Sequence, residues 1–168
     1  MKLTETKHHK KNRQDFPVVG IGASTGGLDA LIRLITAIPL NSGMTYVIVQ
    51  HLSPDHPGNL AEILSQHTEI PVHEIINDIN FEPDHIYIIP DNNNLIAQDG
   101  LLKLHQRTRN EQRTASIDIF FESLAEVYHS FAIGVILSGT AFDGTFGFKK
   151  IKEAGGATLV QDPETAEF

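Results

Sequence analysis

The stretch from Val18 to Gly27, Val-Val-Gly-Ile-Gly-Ala-Ser-Thr-Gly-Gly, limits the folds open to this chain more than any other. The β-branched run of Val18, Val19 and Ile21 reads as a buried strand that stops abruptly in glycine. Beyond Gly27, the residues Leu28, Leu31, Ile32, Ile35 and Ile38 recur at helical spacing. The segment is therefore a strand, a tight turn and a helix, with Ser24 on the turn. Gly22-Ala23-Ser24-Thr25-Gly26 fits the G-x-S-x-G pattern, in which flanking glycines permit a sharp turn that exposes a hydroxyl. The helix directs unpaired backbone N–H groups at the same point, where they favour negative charge. On these residues alone three readings stay open: a nucleophilic serine beside an anion site, a phosphate-binding turn, or a structural turn. The dinucleotide fingerprint G-x-G-x-x-G is only half met. Thr25 stands at its third glycine, and Gln50-His51 ends the next strand where a ribose-binding acid belongs.

The rest of the chain alternates apolar strands with amphipathic helices. Residues 1–15 hold Lys2, Lys7, His8, His9, Lys10, Lys11 and Arg13 with few apolar side chains. Such a segment buries too little to offset its ordering entropy, and it reads as a flexible tail or linker ahead of one domain over 16–168. Further strands are expected at Met44–Val49, Ile70–Ile76, His85–Ile89, Ile133–Leu137 and Ala157–Val160. Helices are expected over Asn59–Gln66, from Ser116 through Tyr128, and over Phe146–Ala154, the last ended by Gly155-Gly156. Ser116 is an N-cap candidate with Asp118 in the first turn, and Asp91–Asn94 reads as a polar turn. Leu95–Ala97 and Leu101–Leu104 flank Gln98-Asp99-Gly100, a hairpin signal. Arg107, Arg109 and Arg113 lie in a polar stretch and read as solvated side chains or as a lure for an acidic partner. This order predicts an α/β fold: a doubly wound, mostly parallel sheet with helices on both faces and a small β-hairpin, Rossmann-like and three-layered.

Composition narrows the function classes. At 168 residues and 40% hydrophobic the chain supports a single globular core. A net charge of −8 argues against general nucleic-acid binding, and the lack of cysteine removes disulfides and thiolate metal sites. No apolar run approaches the ~18 residues of a membrane span, and Met1–Lys11 lacks the apolar core of a secretory signal, so a cytoplasmic location is expected.

In doubly wound sheets ligands sit beyond the carboxyl ends of the strands. Three such ends carry Ser24, Gln50-His51 and Thr140–Asp143, which predicts one shared site. Ser24 suits a nucleophile, His51 a general base and Asp143 the acid that orients the imidazole, with backbone N–H groups at Thr25 and Gly139-Thr140 for the oxyanion. The chain order Ser, His, Asp differs from the Ser, Asp, His of α/β-hydrolases. Plainer readings compete: nine histidines make one at a strand end unsurprising, and Asp143 is placed to cap the helix that follows it. His56 is a possible substrate contact. His51, Asp55 and His56 have no further ligand at helical spacing to support them, and His8-His9 lies on the tail, so neither a metal nor any other cofactor is expected.

Taken together, Gly-Ile-Gly-Ala-Ser24-Thr-Gly-Gly, Val-Gln-His51-Leu and Val-Ile-Leu-Ser-Gly-Thr-Ala-Phe-Asp143-Gly resemble the three signature stretches of the chemotaxis CheB-type methylesterase domain. Glu82–Pro90 is similar to a further strand of that family. The resemblance runs from about Phe16 to the end of the chain. It implies a protein-glutamate methylesterase that hydrolyses glutamate γ-methyl esters on chemoreceptor signalling helices, with deamidation of certain glutamines in some members. It carries the family's triad onto Ser24, His51 and Asp143, and its main oxyanion amide onto Thr140. Leu-Ser-Pro-Asp-His at 52–56 and Gln161-Asp162-Pro163 resemble hybrids that join this domain to a CheR-type methyltransferase and sensor modules. The family pattern also implies a Gly-Met-Pro stretch and a final helix beyond Phe168, and a receiver domain where this chain has its tail. Two other classes are kept beside the esterase: a catalytically silent receptor- or domain-interaction module, and a nucleotide-binding module using the glycine-rich turn.

Overall fold

A computed structural model describes residues 16–24, 26–50, 59–98, 100–107, 115–137 and 143–166. Six strands form one parallel sheet in the order β3 (Val72–Glu74), β5 (Ile86–Ile88), β2 (Thr45–Gln50), β1 (Val18–Ala23), β8 (Ala132–Ile136) and β9 (Ala157–Val160). From β1 the chain steps outward to β2, then to β3 and β5, and returns on the opposite side of β1 to lay down β8 and β9. The topological switch point is therefore between β1 and β8. A second, antiparallel sheet holds β4 (Ile79–Asn80), β7 (Leu101–Gln106) and β6 (Asn93–Gln98).

β1 is buried along its whole length, and its side chains alternate between two faces, each covered by helices. Val19, Ile21 and Ala23 pack with α1 (Leu28–Ala37) and α2 (Leu60–Ser65) through Leu31, Ile35, Leu60 and Leu64. Val18 faces the opposite core, built on α3 (Ser116–Tyr128) and α4 (Thr145–Glu153) and including Phe120, Phe121, Leu124 and Ile151. The small sheet covers α3 on this same side, where Leu95, Ala97 and Leu102 join the core.

The doubly wound parallel sheet with helices on both faces agrees with expectation, and four local details differ. The strand expected over Ile70–Ile76 pairs only at Val72–Glu74, since Pro71 has no N–H to add to the ladder. The hairpin becomes three strands because Ile79 and Asn80, in a turn-rich stretch, pair with Leu102 and Leu101. Asn93 and Asn94 belong to β6 and not to the preceding turn, held by register opposite Gln106 and His105. Ser116 is the first residue of α3 rather than its cap. Its hydroxyl turns away from the helix amides to donate to Asn94 Oδ1 at 3.0 Å. No helix among the described residues is long and apolar enough to cross a membrane.

Candidate active site

Ser24 follows the last residue of β1, at the carboxyl edge beside the switch point. The turn after it closes through a hydrogen bond from Gly27 N to the Ser24 carbonyl at 2.9 Å. Gly26, at φ +96°, occupies the third position of this turn, a backbone conformation that glycine adopts without steric cost. α1 starts directly afterwards, so its free amides lie next to the serine. Ser24 is 9% exposed, which seats it in the sheet edge instead of on open surface.

The first glycine of the G-x-S-x-G pattern has a different task from the one expected. Gly22 is an ordinary strand residue, and a Cβ there would stand 2.7 Å from Ile117 Cγ2. A Cβ on Gly20 would likewise stand 2.7 Å from the Phe121 ring. Both glycines therefore remove side chains from β1 so that α3 can lie close against it. Packing against α3 thus accounts for the G-x-G spacing.

Close docking of α3 has a second effect, at Asp143. This aspartate is 6% exposed, and its carboxylate accepts from two amides of the first turn of α3: Ile117 N donates to Oδ2 at 2.9 Å and Asp118 N to Oδ1 at 2.8 Å. One amide per oxygen fixes the plane of the carboxylate and sets its charge at the positive end of the helix. The capping reading of Asp143 is thus realised, but on the helix that precedes it in sequence and not on the one that follows. α4 begins at an N-cap glycine, Gly144, whose φ of +99° and lack of Cβ let the chain turn tightly against Ile136 and Ile117.

The neighbouring strand ends are in register. Gly22 pairs with Ile136, and Leu137 N donates to the Gly22 carbonyl at 2.9 Å, so β1 and β8 deliver their following segments to one edge. β2 ends at Gln50, opposite Ala23. The Gln50 Oε1 atom is buried and has no hydrogen-bond partner among the described residues. His51, Thr25 and Thr140 lie outside the described residues, as do His56, Asp55, the His8-His9 pair, Arg109 and Arg113. Arg107 is half-buried and internally hydrogen-bonded instead of simply solvated. Its Nε donates to Asn94 Oδ1 at 3.2 Å and its Nη2 to the Asn93 carbonyl at 2.9 Å and to Ser116 Oγ. It thereby ties the hairpin to the start of α3. Sequence reasoning missed this tether and also missed Asp118, whose carboxylate accepts from Gly147 N at 2.6 Å. The signal for the second was present as an acidic residue in a helix first turn, but the helix it caps is another one. Asp143 also lines a cleft of about 520 Å³ between α4 and β9, together with Lys149 and Lys152; Ser24 does not line it. Among the described residues no group of three or more metal-binding side chains gathers.

A serine between a strand end and a helix N-terminus, with a rigidly held carboxylate beside it at the meeting of α3 and α4, is the kind of frame on which acyl transfer is built. Comparison with known proteins points the same way. The family profile of the CheB methylesterase matches residues 19–168. A protein of Leptospira interrogans is 36% identical over 155 residues, covering 92% of this chain and 80% of that protein. The protein-glutamate methylesterase/protein-glutamine glutaminase of Trichodesmium erythraeum is 37% identical over 150 residues, 86% of this chain and 42% of that protein. Among solved structures, the CheB methylesterase catalytic domain of Thermotoga maritima superposes with a TM-score of 0.80 at 34% identity, over 92% of this chain and 84% of that one.

Proposed function

The chain belongs to the CheB methylesterase family, and on that premise we propose that it is a protein-glutamate methylesterase working through Ser24, His51 and Asp143. In this reading His51 takes the proton of Ser24 as the serine oxygen attacks the γ-ester carbonyl of a methylated glutamate. Backbone N–H groups of Thr25 and Thr140 hold the oxyanion. Collapse of the tetrahedral species expels methanol with the proton from His51 and leaves an acyl-enzyme, which water then hydrolyses to glutamate by the same sequence. The chemistry asks for no cofactor. Asp143 keeps the imidazole in one orientation and balances its charge when protonated. The substrate is a methylated chemoreceptor helix, the reaction is cytoplasmic, and glutamine deamidation on the same acyl-enzyme route is part of the proposal. So is a linked methyltransferase with sensor modules.

The observation that carries this reading is the carboxylate of Asp143, buried and gripped by two amides of α3 beside the strand end that bears Ser24. The decisive experiment is methanol release from a methylated chemoreceptor by the wild-type chain and by Ser24→Ala. Loss of turnover by ~10⁴-fold or more in a folded variant is the expected result. Equal release by both proteins would remove Ser24 as nucleophile, and no release by a folded wild type would favour a silent interaction module.

A further inference from the structure

The two aspartates of this region exchange helix caps. Asp143, one residue ahead of the N-cap of α4, satisfies amides of α3, while Asp118, in the first turn of α3, satisfies the Gly147 amide in the first turn of α4. The two helices meet closely at this point because Gly147 brings no side chain of its own. A Cβ on Gly147 would stand 2.4 Å from Phe121 Cβ and 3.2 Å from the Asp118 carbonyl oxygen. The hydrogen bonds thus close a ring: Asp143 carboxylate to Asp118 N–H, along the Asp118 residue to its own carboxylate, on to Gly147 N–H, and back through the first turn of α4 and Gly144 to Asp143. From this ring we infer that Asp118 is a positioning residue for Asp143, fixing the start of α4 so that the Asp143 carboxylate keeps one orientation. The inference rests on the reading of Asp143 as the acid behind His51.

The two α3 amides fix the plane of the carboxylate, and the chain that carries it enters α4 through the tight turn at Gly144, so any swing of the first turn of α4 is passed to Asp143. The bond from Gly147 N to Asp118 closes off that swing from the α4 side. Without it, two unwanted things follow. One amide of the α4 first turn loses its partner, and the loop bearing Asp143 gains freedom at the point where an angular error reaches the imidazole.

The test is steady-state methanol release by the full chain, with kcat, KM and the pH–rate profile for Asp118→Ala, Asp118→Asn, Asp143→Asn and Ser24→Ala. Asp118→Ala is expected to lower kcat ~100-fold with KM within about twofold. The acidic limb of its profile should move to lower pH, because a misaligned Asp143 supports the His51 imidazolium less. Asp118→Asn keeps a carbonyl acceptor for Gly147 N–H and should restore kcat and the profile to near wild type. Should Asp118→Ala fail to fold, Asp118→Ser serves in its place: serine is well accepted at helix starts but too short to duplicate the contact. An Ala or Ser variant that melts earlier yet keeps wild-type kcat and pH profile per folded molecule would make Asp118 a structural cap and overturn the inference. An Asn variant as impaired as Ala would overturn it too, since charge and not the acceptor would then matter. If Asp143→Asn is impaired while Asp118→Ala is not, only this inference falls; if Asp143→Asn is fully active, the triad reading falls with it.

Discussion

At the scale of single residues, glycine is the informative letter here, and it works in two ways. Gly26 and Gly144 supply a positive φ at turns, whereas Gly22 and Gly147 are needed because a neighbour occupies the place of a Cβ. Gly22→Ala would drive a methyl group into Ile117, whose amide holds Asp143. We expect a loss of ~1–3 kcal/mol from overpacking, together with a fall in methanol release larger than the unfolded fraction explains. Urea denaturation paired with activity on the folded fraction checks both parts; a stable, fully active variant would show that α3 can retreat without disturbing Asp143. The pattern G-x-S-x-G was legible as a turn with a serine. That its first glycine faces a helix was not, because the helix begins about ninety residues later.

At the scale of elements, α3 is the part on which the fold and the candidate site both depend. One end receives Asp143, one side lies in the glycine trough of β1, and the other side carries the small sheet. That sheet is fastened by side chains as well as by apolar burial. Ser123 Oγ donates to the Phe120 carbonyl at 2.7 Å and accepts from the buried Ala97 N–H at 2.9 Å. Ser123→Ala leaves that amide without its partner and should cost ~1–3 kcal/mol, read as a lower urea midpoint with an unchanged slope. Amide exchange should quicken at Ala97 more than at β1; equal exchange rates in mutant and wild type would mean that water replaces the hydroxyl. Helices α1 and α3 were legible from their apolar spacing, and the hairpin from Asp99-Gly100. The third strand of the small sheet was not, since two residues such as Ile79 and Asn80 carry no periodicity of their own.

At the scale of the whole molecule, stability should fall on mild acidification through an edge of the main sheet. The rings of His73 on β3 and His85 just ahead of β5 stack at 5.2 Å, and His73 lies 5.4 Å from the ring of Tyr87, its register partner. Partial desolvation of the otherwise exposed ring, then the neighbouring His85, hold the His73 imidazole below its ordinary value of 6.5, against a smaller opposing pull from Glu82. The fold thus favours the neutral ring. The stability this gives is complete above the unfolded value near 6.5 and is lost as pH falls through the lower folded value. Denaturant unfolding at pH 7.5 and pH 5 should show a smaller drop for His73→Gln than for the wild type. Equal drops would place the pH sensitivity elsewhere.

The layered α/β architecture, the glycine-bounded turns that carry Ser24 and Asp143, and the family were legible in the chain alone, because hydrophobic period, turn residues and short motifs are all local. Tertiary structure alone decided which strands are neighbours, that Gly20 and Gly22 make room for α3, that Arg107 is an internal tether, and that Asp143 caps α3 while Asp118 caps α4. The physical reason is common to all four. Each depends on a partner more than ten residues away, and a side chain able to cap, tether or yield space looks the same in sequence whichever partner it meets.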